Sequence, residues 1–476
     1  MDNTHDHDSM ELFKMYLDRT EMTHHSYQYE GVKWILKNEK REKVENKGGI
    51  IADEMGLGKT IMMIGAFVCH YLPRTLIVVP PVLLDQWYSQ IYRTTGHKSL
   101  IYHGENKKRI FAEDLKNATF VITTYGAITM NKHERKKTIL HGIKWSRIVF
   151  DEAHHLRNKK TSRFVSAKQL KTSIRWLISG TPIQNSQKDF YHLCSLLRIP
   201  ASVYTDMKLL HSVIHTFVLK RTKKQVGIVI PNIIIENNIV PWKNENEKYL
   251  SEEIHSVLHF SKVSEVKFKN SLFSHLFSDY SKLSLVIRAR QMCIYPKLIS
   301  HLLSCFPKPV DVSKYVDAFK NNSKLDCVIN KILERKGNDC GKIVFCHFRG
   351  EIDEVVKRLQ LGGIKSIAVF DGRTPINERL HILTKKKEVL ILQIQTGCEG
   401  LNLQEHYSEI YFTSPHWNPS VEEQAIARCH RIGQKKPVYV YRFEMSSFEE
   451  DTVSIDNYIT TVQDTKKLFA KEILPD

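Results

Sequence analysis

The chain has 476 residues and a formal net charge of +18, with 70 Lys and Arg against 52 Asp and Glu. That length allows about three domains, each large enough for its own core, and that charge points to a polyanionic partner, most simply nucleic acid. No apolar run approaches the roughly 18 residues a bilayer crossing needs, and the nine cysteines include no C-x-x-C pair, so neither a membrane span nor a zinc finger is expected. The polar, acidic start MDNTHDHDSM is unlike a leader, and a soluble intracellular chain with free thiols is the expectation.

In chain order, residues 1–22 read as a tail merging into a helix, and the His5-Asp6-His7-Asp8 cluster reads as solvated rather than metal-binding. Residues 23–221 alternate helical stretches with short apolar strands at Gly49–Ala52, Thr75–Val79, Phe120–Thr123, Arg147–Phe150 and Trp176–Ile178. Continuous apolar strands alternating with helices predict a parallel sheet covered on both faces. Residues 222–323 change character: Lys243–Lys297 is long and helical in periodicity, and Ser304–Ser323, with Pro307 and Pro309, reads as a linker. Residues 324–447 resume the alternation, with strands at Ile343–Cys346, Ser366–Phe370, Val389–Ile394, Glu409–Phe412 and Val438–Arg442, and 448–476 form a closing helix. The basic runs are scattered: Lys107-Lys108-Arg109, Arg135-Lys136-Lys137, Lys220–Lys224 and Lys385–Lys387.

Chemistry concentrates at a few strand ends. In IIADEMGLGKT, Ile50–Thr60, a strand runs into a glycine turn and then a helix opened by Lys59-Thr60. Such a turn lets backbone N–H groups approach an anion at a helix N-terminus. Gly56 and Gly58 shape that cradle, Lys59 reaches the β/γ-phosphates, and Thr60 ligates Mg²⁺. Asp53 stands where the usual pattern has its first glycine. Downstream, RIVF runs into Asp151 and Glu152, a carboxylate pair in which Asp151 holds the Mg²⁺ shell and Glu152 deprotonates the attacking water. Ser179-Gly180-Thr181 ends a further strand and is a weak candidate for sensing phosphate. In QAIARCHRIGQ, Arg428 and Arg431 lie three apart, which on a helix puts both on one side.

Taken together these motifs resemble the SWI/SNF-type chromatin-remodelling ATPases, a branch of the superfamily-two helicase motors. The resemblance runs from about Ser26 to Phe443 and rests on seven or more ordered motifs. HSYQYEGV is similar to the family's opening segment, in which Gln28 reads adenine. DEMGLGKT is the family's own phosphate loop, which accounts for Asp53. LIVVPPVLLDQW and ITTYGAI resemble the first-lobe DNA-contact motifs, and DEAHHLRN and SGTPIQN the next two. RQMCIYP, KIVFCHF, QTGCEGLNL, SPHWNP and EEQAIARCHRIGQ complete the set. The resemblance implies two RecA-like parallel-sheet lobes with helical insertions between them. It implies ATP and Mg²⁺ as cofactors, with Gln424 among the nucleotide-binding residues and Arg428 and Arg431 as arginine fingers. Movement along double-stranded DNA follows, sequence-tolerant and without strand separation, with Thr123, Thr124, Thr396, Gly397 and Trp417 as candidate DNA contacts. Glu399 departs from the family's pattern and weakens the expected contact there.

The wording of the last motifs looks closest to the DNA-repair branch, yet Cys293–Cys346 lacks RING spacing, and no bromodomain or chromodomain has room. A bare motor also fits the ATPases of large DNA viruses. The alternatives are a motor that releases transcription complexes, a strand-separating helicase and a non-catalytic DNA scaffold. A nucleosome or transcription complex is the further partner considered. The compartment expected is the nucleus or another DNA-containing one, a viral factory or virion included.

Overall fold

A strand that is apolar through its centre must bury both faces, and the five-residue strands of this chain bury their centres on both sides. The computed structural model describes residues 2–42, 47–130, 137–268, 281–303, 315–375, 382, 385–397 and 401–474. It comprises two units, Met1–Val229 with Leu468–Asp476, and Ile230–Lys467.

In the first unit, β1 (Lys47–Ile51), β2 (Thr75–Val79), β3 (Leu100–Tyr102), β4 (Phe120–Thr124), β5 (Arg147–Asp151), β6 (Ile174–Ile178) and β7 (Val218–Leu219) form one sheet in the order β3-β4-β2-β5-β6-β1-β7. Every pairing is parallel, with Ile50 opposite Leu177 and Val149 opposite Trp176. Alternate residues enter separate cores: Ile50, Leu76, Val78, Ile148, Phe150 and Leu177 on one face, Ile51, Ile77, Val79, Val149 and Ile178 on the other. The second face is covered by α1 (Asp2–Arg19), α2 (Ser26–Glu39), α3 (Lys59–Cys69) and α4 (Leu84–Thr95). In α4, Leu84, Trp87 and Ile91 recur at helical spacing and are buried there. The expected N-terminal tail is helical from Asp2, with Phe13, Tyr16 and Leu17 in the same core; the side chains of residues 1–8, His5 to Asp8 among them, lie outside the described residues.

In the second unit, β8 (Ile233–Val240), β9 (Gly341–Cys346), β10 (Ile367–Phe370), β11 (Val389–Gln393), β12 (Tyr407–Phe412) and β13 (Val438–Met445) form a second all-parallel sheet, β10-β11-β9-β12-β13-β8. Its strands also alternate between two cores, Ile343, Phe345 and Ile410 against Val344, Cys346 and Tyr411. Strand β8 falls in the stretch read as helical insertion, and pairs with β13 along its whole length. Helices Glu245–Ser256 and Lys282–Ile294 follow it, while residues 304–314 of the expected linker lie outside the described residues. The closing helix runs Ile455–Ile473. These are the two expected RecA-like parallel-sheet lobes. The described cysteines are free, and no helix of the described residues is long and apolar enough to cross a membrane.

Candidate active site

Parallel strands bring the loops at their C-terminal ends to one rim. On the first sheet that rim collects the turn after β1, the carboxylates ending β5 and the small-residue turn after β6. Gly56 and Gly58 hold φ of +94° and +78°, and Gly58 is the N-cap of α3, a conformation that favours glycine. A Cβ at Gly58 would stand 2.6 Å from Gln28 Nε2, and one at Gly180 would stand 3.3 Å from Lys59 Nζ. Bare backbone at Gly58 lets Gln28 approach the glycine turn, and at Gly180 it makes room first for the Met55 side chain, 2.7 Å from such a Cβ, and then for Lys59. Lys59 lies curled over its own loop, its ammonium donating to the carbonyls of Asp53 at 2.8 Å and Glu54 at 3.3 Å. Thr60 follows it in the first turn of α3.

Asp53 is fully buried and forms a bidentate pair with Arg221, Nε to Oδ1 at 3.1 Å and Nη2 to Oδ2 at 2.6 Å. Arg221 also donates to the Tyr27 carbonyl at 2.6 Å. A buried carboxylate requires such a partner, so the loop is tied to α2 where a glycine was expected. Gln28, in the first turn of α2, is buried, and its Oε1 has no hydrogen-bond partner among the described residues. An unmet buried acceptor costs about 1–3 kcal/mol. An exocyclic amine such as that of adenine supplies the missing donor, so the residue fits its expected role.

Asp151 ends β5 and Glu152 follows it in the left-handed region at φ +51°. That conformation costs a non-glycine residue of order 1–3 kcal/mol and turns the second carboxylate back toward the rim. The Asp151 carboxylate accepts from Trp87 Nε1 at 2.8 Å and from the Glu152 N–H at 2.9 Å. Burial first, and the charge of Glu152 second, push its carboxyl up to about 6, against the opposing pull of Trp87, the Glu152 N–H and Lys59. The buried Asp151 beside the half-buried Glu152 is an arrangement that a divalent cation would relieve, and Thr60 and Asp151 are the residues that would hold it. His154 Nδ1 stands 3.2 Å from Glu152 Oε2 and 3.5 Å from the Ser179 hydroxyl, joining the β5 and β6 turns. Beyond it Arg157 bonds Gln184, which donates to Thr181 at 3.3 Å.

Several expected contacts sit differently. Thr123 is fully buried and donates to the Tyr102 carbonyl at 2.8 Å, and Thr124 is paired with His103 at 3.2 Å. Both hydroxyls are committed inside the unit rather than at a surface a phosphate reaches. Trp87 and Tyr125, from the motifs read as DNA contacts, instead support Asp151, the Tyr125 hydroxyl donating to its carbonyl at 2.6 Å. Sequence reading missed this role of Trp87, and it gave no role to Arg221, counted only in a basic run, or to His154 of DEAHHLRN; a buried indole and a buried Asp each demand a partner, but the sequence does not say which.

In the second unit, Gln424 is buried on the helix Pro419–Ile426. That helix stops before Arg428, whose carbonyl accepts from Leu403 N at 3.1 Å, and Arg431 lies in the following bend, bonded to Asn402. The shared helix face expected from their spacing is therefore absent. Burial, and then the charge of Arg428, lower the Arg431 pKa. Thr396 and Gly397 belong to a short helix after β11, with side chains outside the described residues, as is Glu399 entirely. Trp417 is half-buried, edge-on to Tyr458 at 6.1 Å, and its carbonyl accepts from Lys466 at 2.8 Å.

A family profile described as the SNF2-related domain matches residues 27–298, more than half of the chain. The chain belongs to the SNF2-related family. A helicase conserved C-terminal domain matches residues 323–433 of this SNF2-related protein. A protein named "Probable global transactivator" from Orgyia pseudotsugata multicapsid polyhedrosis virus is 29% identical, over 94% of this chain and 90% of that one. An uncharacterized ATP-dependent helicase of Mycoplasma genitalium is 30% identical over 97% of this chain and 43% of its own. The ISWI chromatin-remodeling complex ATPase ISW2 of Saccharomyces cerevisiae is 27% identical over 90% of this chain and 39% of its own. The chain thus spans nearly the whole viral relative and less than half of the other two. It is a SWI/SNF-type ATP hydrolase, a helicase-type motor that uses ATP.

Proposed function

We propose that the protein is a double-stranded-DNA-stimulated ATPase that converts hydrolysis into movement along duplex DNA and remodelling of the protein–DNA complexes in its path. The observation that carries this reading is the convergence of Gln28, Lys59, Asp151 and Glu152 on one rim of the first sheet. Gln28 reads the base, Lys59 neutralises the β/γ-phosphates, Thr60 and Asp151 hold Mg²⁺, and Glu152 takes the proton of the attacking water. A divalent cation held by Thr60 and Asp151 would supply positive charge against the phosphates. The family resemblance gives Gln424, Arg428 and Arg431 nucleotide-facing roles, in which the two arginines would stabilise the charge that develops on the transferred phosphoryl group.

Double-stranded DNA is the proposed track because the chain is strongly basic and because the ISWI relative is named as a chromatin-remodeling ATPase. Contact to phosphates rather than base edges makes binding sequence-tolerant and steeply salt-dependent. Thr396, Gly397 and Trp417 remain the proposed contacts of the second unit. The working compartment is then one that holds DNA, a nucleus or a viral factory. Steady-state phosphate release tests this reading: it rises on adding duplex DNA and vanishes in Lys59→Ala. Stimulation by RNA with none by duplex DNA would overturn it.

The viral relative matched over most of its length is named as a transactivator, which favours a second reading in which the same motor acts on transcription complexes. Release of a stalled polymerase from its template separates the two.

A further inference from the structure

The fold gathers lysines that the sequence scatters. All six strands of the second sheet are parallel, so the residues that precede them share the rim at the strands' N-terminal ends. Lys365 precedes β10, Lys385, Lys386 and Lys387 precede β11, Lys336 precedes β9, and Lys435 and Lys436 precede β13. All are exposed except Lys387, which is half-buried. Among the described residues preceding these strands the acids are Asp339, Glu388 and Glu405, and the buried Glu409 of β12 is paired with Arg335, so positive charge dominates.

Two lysines from different connections are held at one point. Lys386 Nζ lies 3.2 Å from Asp339 Oδ1, and Lys436 Nζ donates to the Asp339 carbonyl at 2.8 Å and lies 3.5 Å from Oδ2. Asp339 takes a left-handed φ of +53° to do this. Its carboxyl is held below the usual range by Lys386 and then Lys436. Beside it, Gly337, Ser366, Lys386 and Lys387 line an open cavity of about 400 Å³. At about 4.8 Å between strands the rim from β10 to β13 is about 19 Å long, which spans about five phosphates of one DNA strand.

The kind of partner follows from what the rim contains. Among its described residues no aromatic ring is exposed, so it lacks the stacking platform that single strands need. Lysine is depleted at protein–protein interfaces, whose buried centres exclude charge. Phosphates of a duplex are the remaining match. We propose that this rim binds the backbone of a second duplex segment, so that one chain holds two stretches of DNA, the track and an anchor. The inference rests on the reading of the chain as a motor on double-stranded DNA.

The full chain with Mg²⁺, a donor-labelled duplex and an acceptor-labelled duplex tests it. Wild type brings the two together and energy transfer rises. In Lys385→Gln/Lys386→Gln/Lys435→Gln/Lys436→Gln, with an unchanged melting temperature, transfer is lost. The slope of log affinity against log salt for the second duplex falls by up to about 3.6, at about 0.9 per phosphate contact. Asp339→Asn removes the competing carboxylate, and Asn tolerates the left-handed region, so this variant strengthens transfer. Transfer and slope unchanged in the fourfold variant, with duplex-stimulated hydrolysis intact, would overturn the anchor alone. Polyglutamate competing as well as unlabelled duplex at equal charge would assign the rim to acidic protein and overturn it too. No binding or stimulation by duplex in wild type would instead overturn the motor reading beneath.

Discussion

A buried carboxylate sits at each end of strand β5, Glu39 of α2 against its first residue and Asp151 as its last, and the two are treated in opposite ways. At its start Arg147 donates to Glu39 through Nε and Nη2, both at 2.6 Å, while His70 and Trp176 bond the same carboxylate at 2.6 and 2.8 Å. Burial alone raises this carboxyl, but Arg147, His70 and Trp176 outweigh it and bring it from 4.5 down to about 2. At the far end Asp151 has an indole and one N–H, with Glu152 beside it, and is pushed up to about 6. One end sets a guanidinium directly on the carboxylate and holds the strand; the other sets two carboxylates side by side, an arrangement that a cation would relieve. Stability and chemistry are thereby placed at opposite ends of a single five-residue strand.

Four outcomes break or sharpen that contrast. The largest is expected at the chemical end: Lys59→Ala lowers phosphate release by at least about 10³-fold, given the share of phosphoryl-transfer catalysis carried by such charges. Urea denaturation should show its folding stability close to wild type. Next, Glu39→Gln leaves Arg147 buried without its counter-charge and costs about 3–5 kcal/mol, read in the same denaturation curves, while hydrolysis per folded molecule is retained. A large loss of activity at full stability in that variant would erase the distinction between the ends.

The third outcome is a pH dependence. Glu39 has a folded pKa below its ordinary value, so its stabilisation is complete above about 4.5 and is lost as pH falls from there toward about 2. The amount is on the order of 3 kcal/mol, at about 1.36 kcal/mol per pH unit of displacement. Wild-type stability should fall steeply across that window and Glu39→Gln stability should not. Equal slopes would mean the carboxylate is not paired in solution. The smallest effect is at Trp87: Trp87→Phe removes one donor to Asp151, costs about 1–3 kcal/mol and raises the Mg²⁺ concentration needed for half-maximal hydrolysis several-fold.

The same contrast explains what was legible beforehand. Strands buried on both faces, β2 and β5 among them, announce themselves as unbroken apolar runs. Strand β3 is too short, and β8, IIIENNIV, is an edge strand with polar residues at its centre, so neither stands out. The glycine turn and the carboxylate pair were legible because their chemistry demands fixed spacing along one chain segment. Arg221 was not, since its partner Asp53 is 168 residues away and only folding makes them neighbours. Arg428 and Arg431 were found by spacing and placed on a helix, yet the Leu403 N–H takes the Arg428 carbonyl and the chain leaves helical geometry. The lysine rim was invisible for the same reason as Arg221: adjacency in a sheet is not adjacency in sequence.

The most direct test of the account is phosphate release by Glu152→Gln in saturating Mg²⁺-ATP and duplex DNA, with melting temperature followed on the same preparation. Relief of the carboxylate pair predicts a melting temperature at or above wild type, together with hydrolysis reduced by about 10²–10⁴-fold, the span of a general base. Duplex-stimulated hydrolysis retained at the wild-type rate in that folded variant would contradict the account.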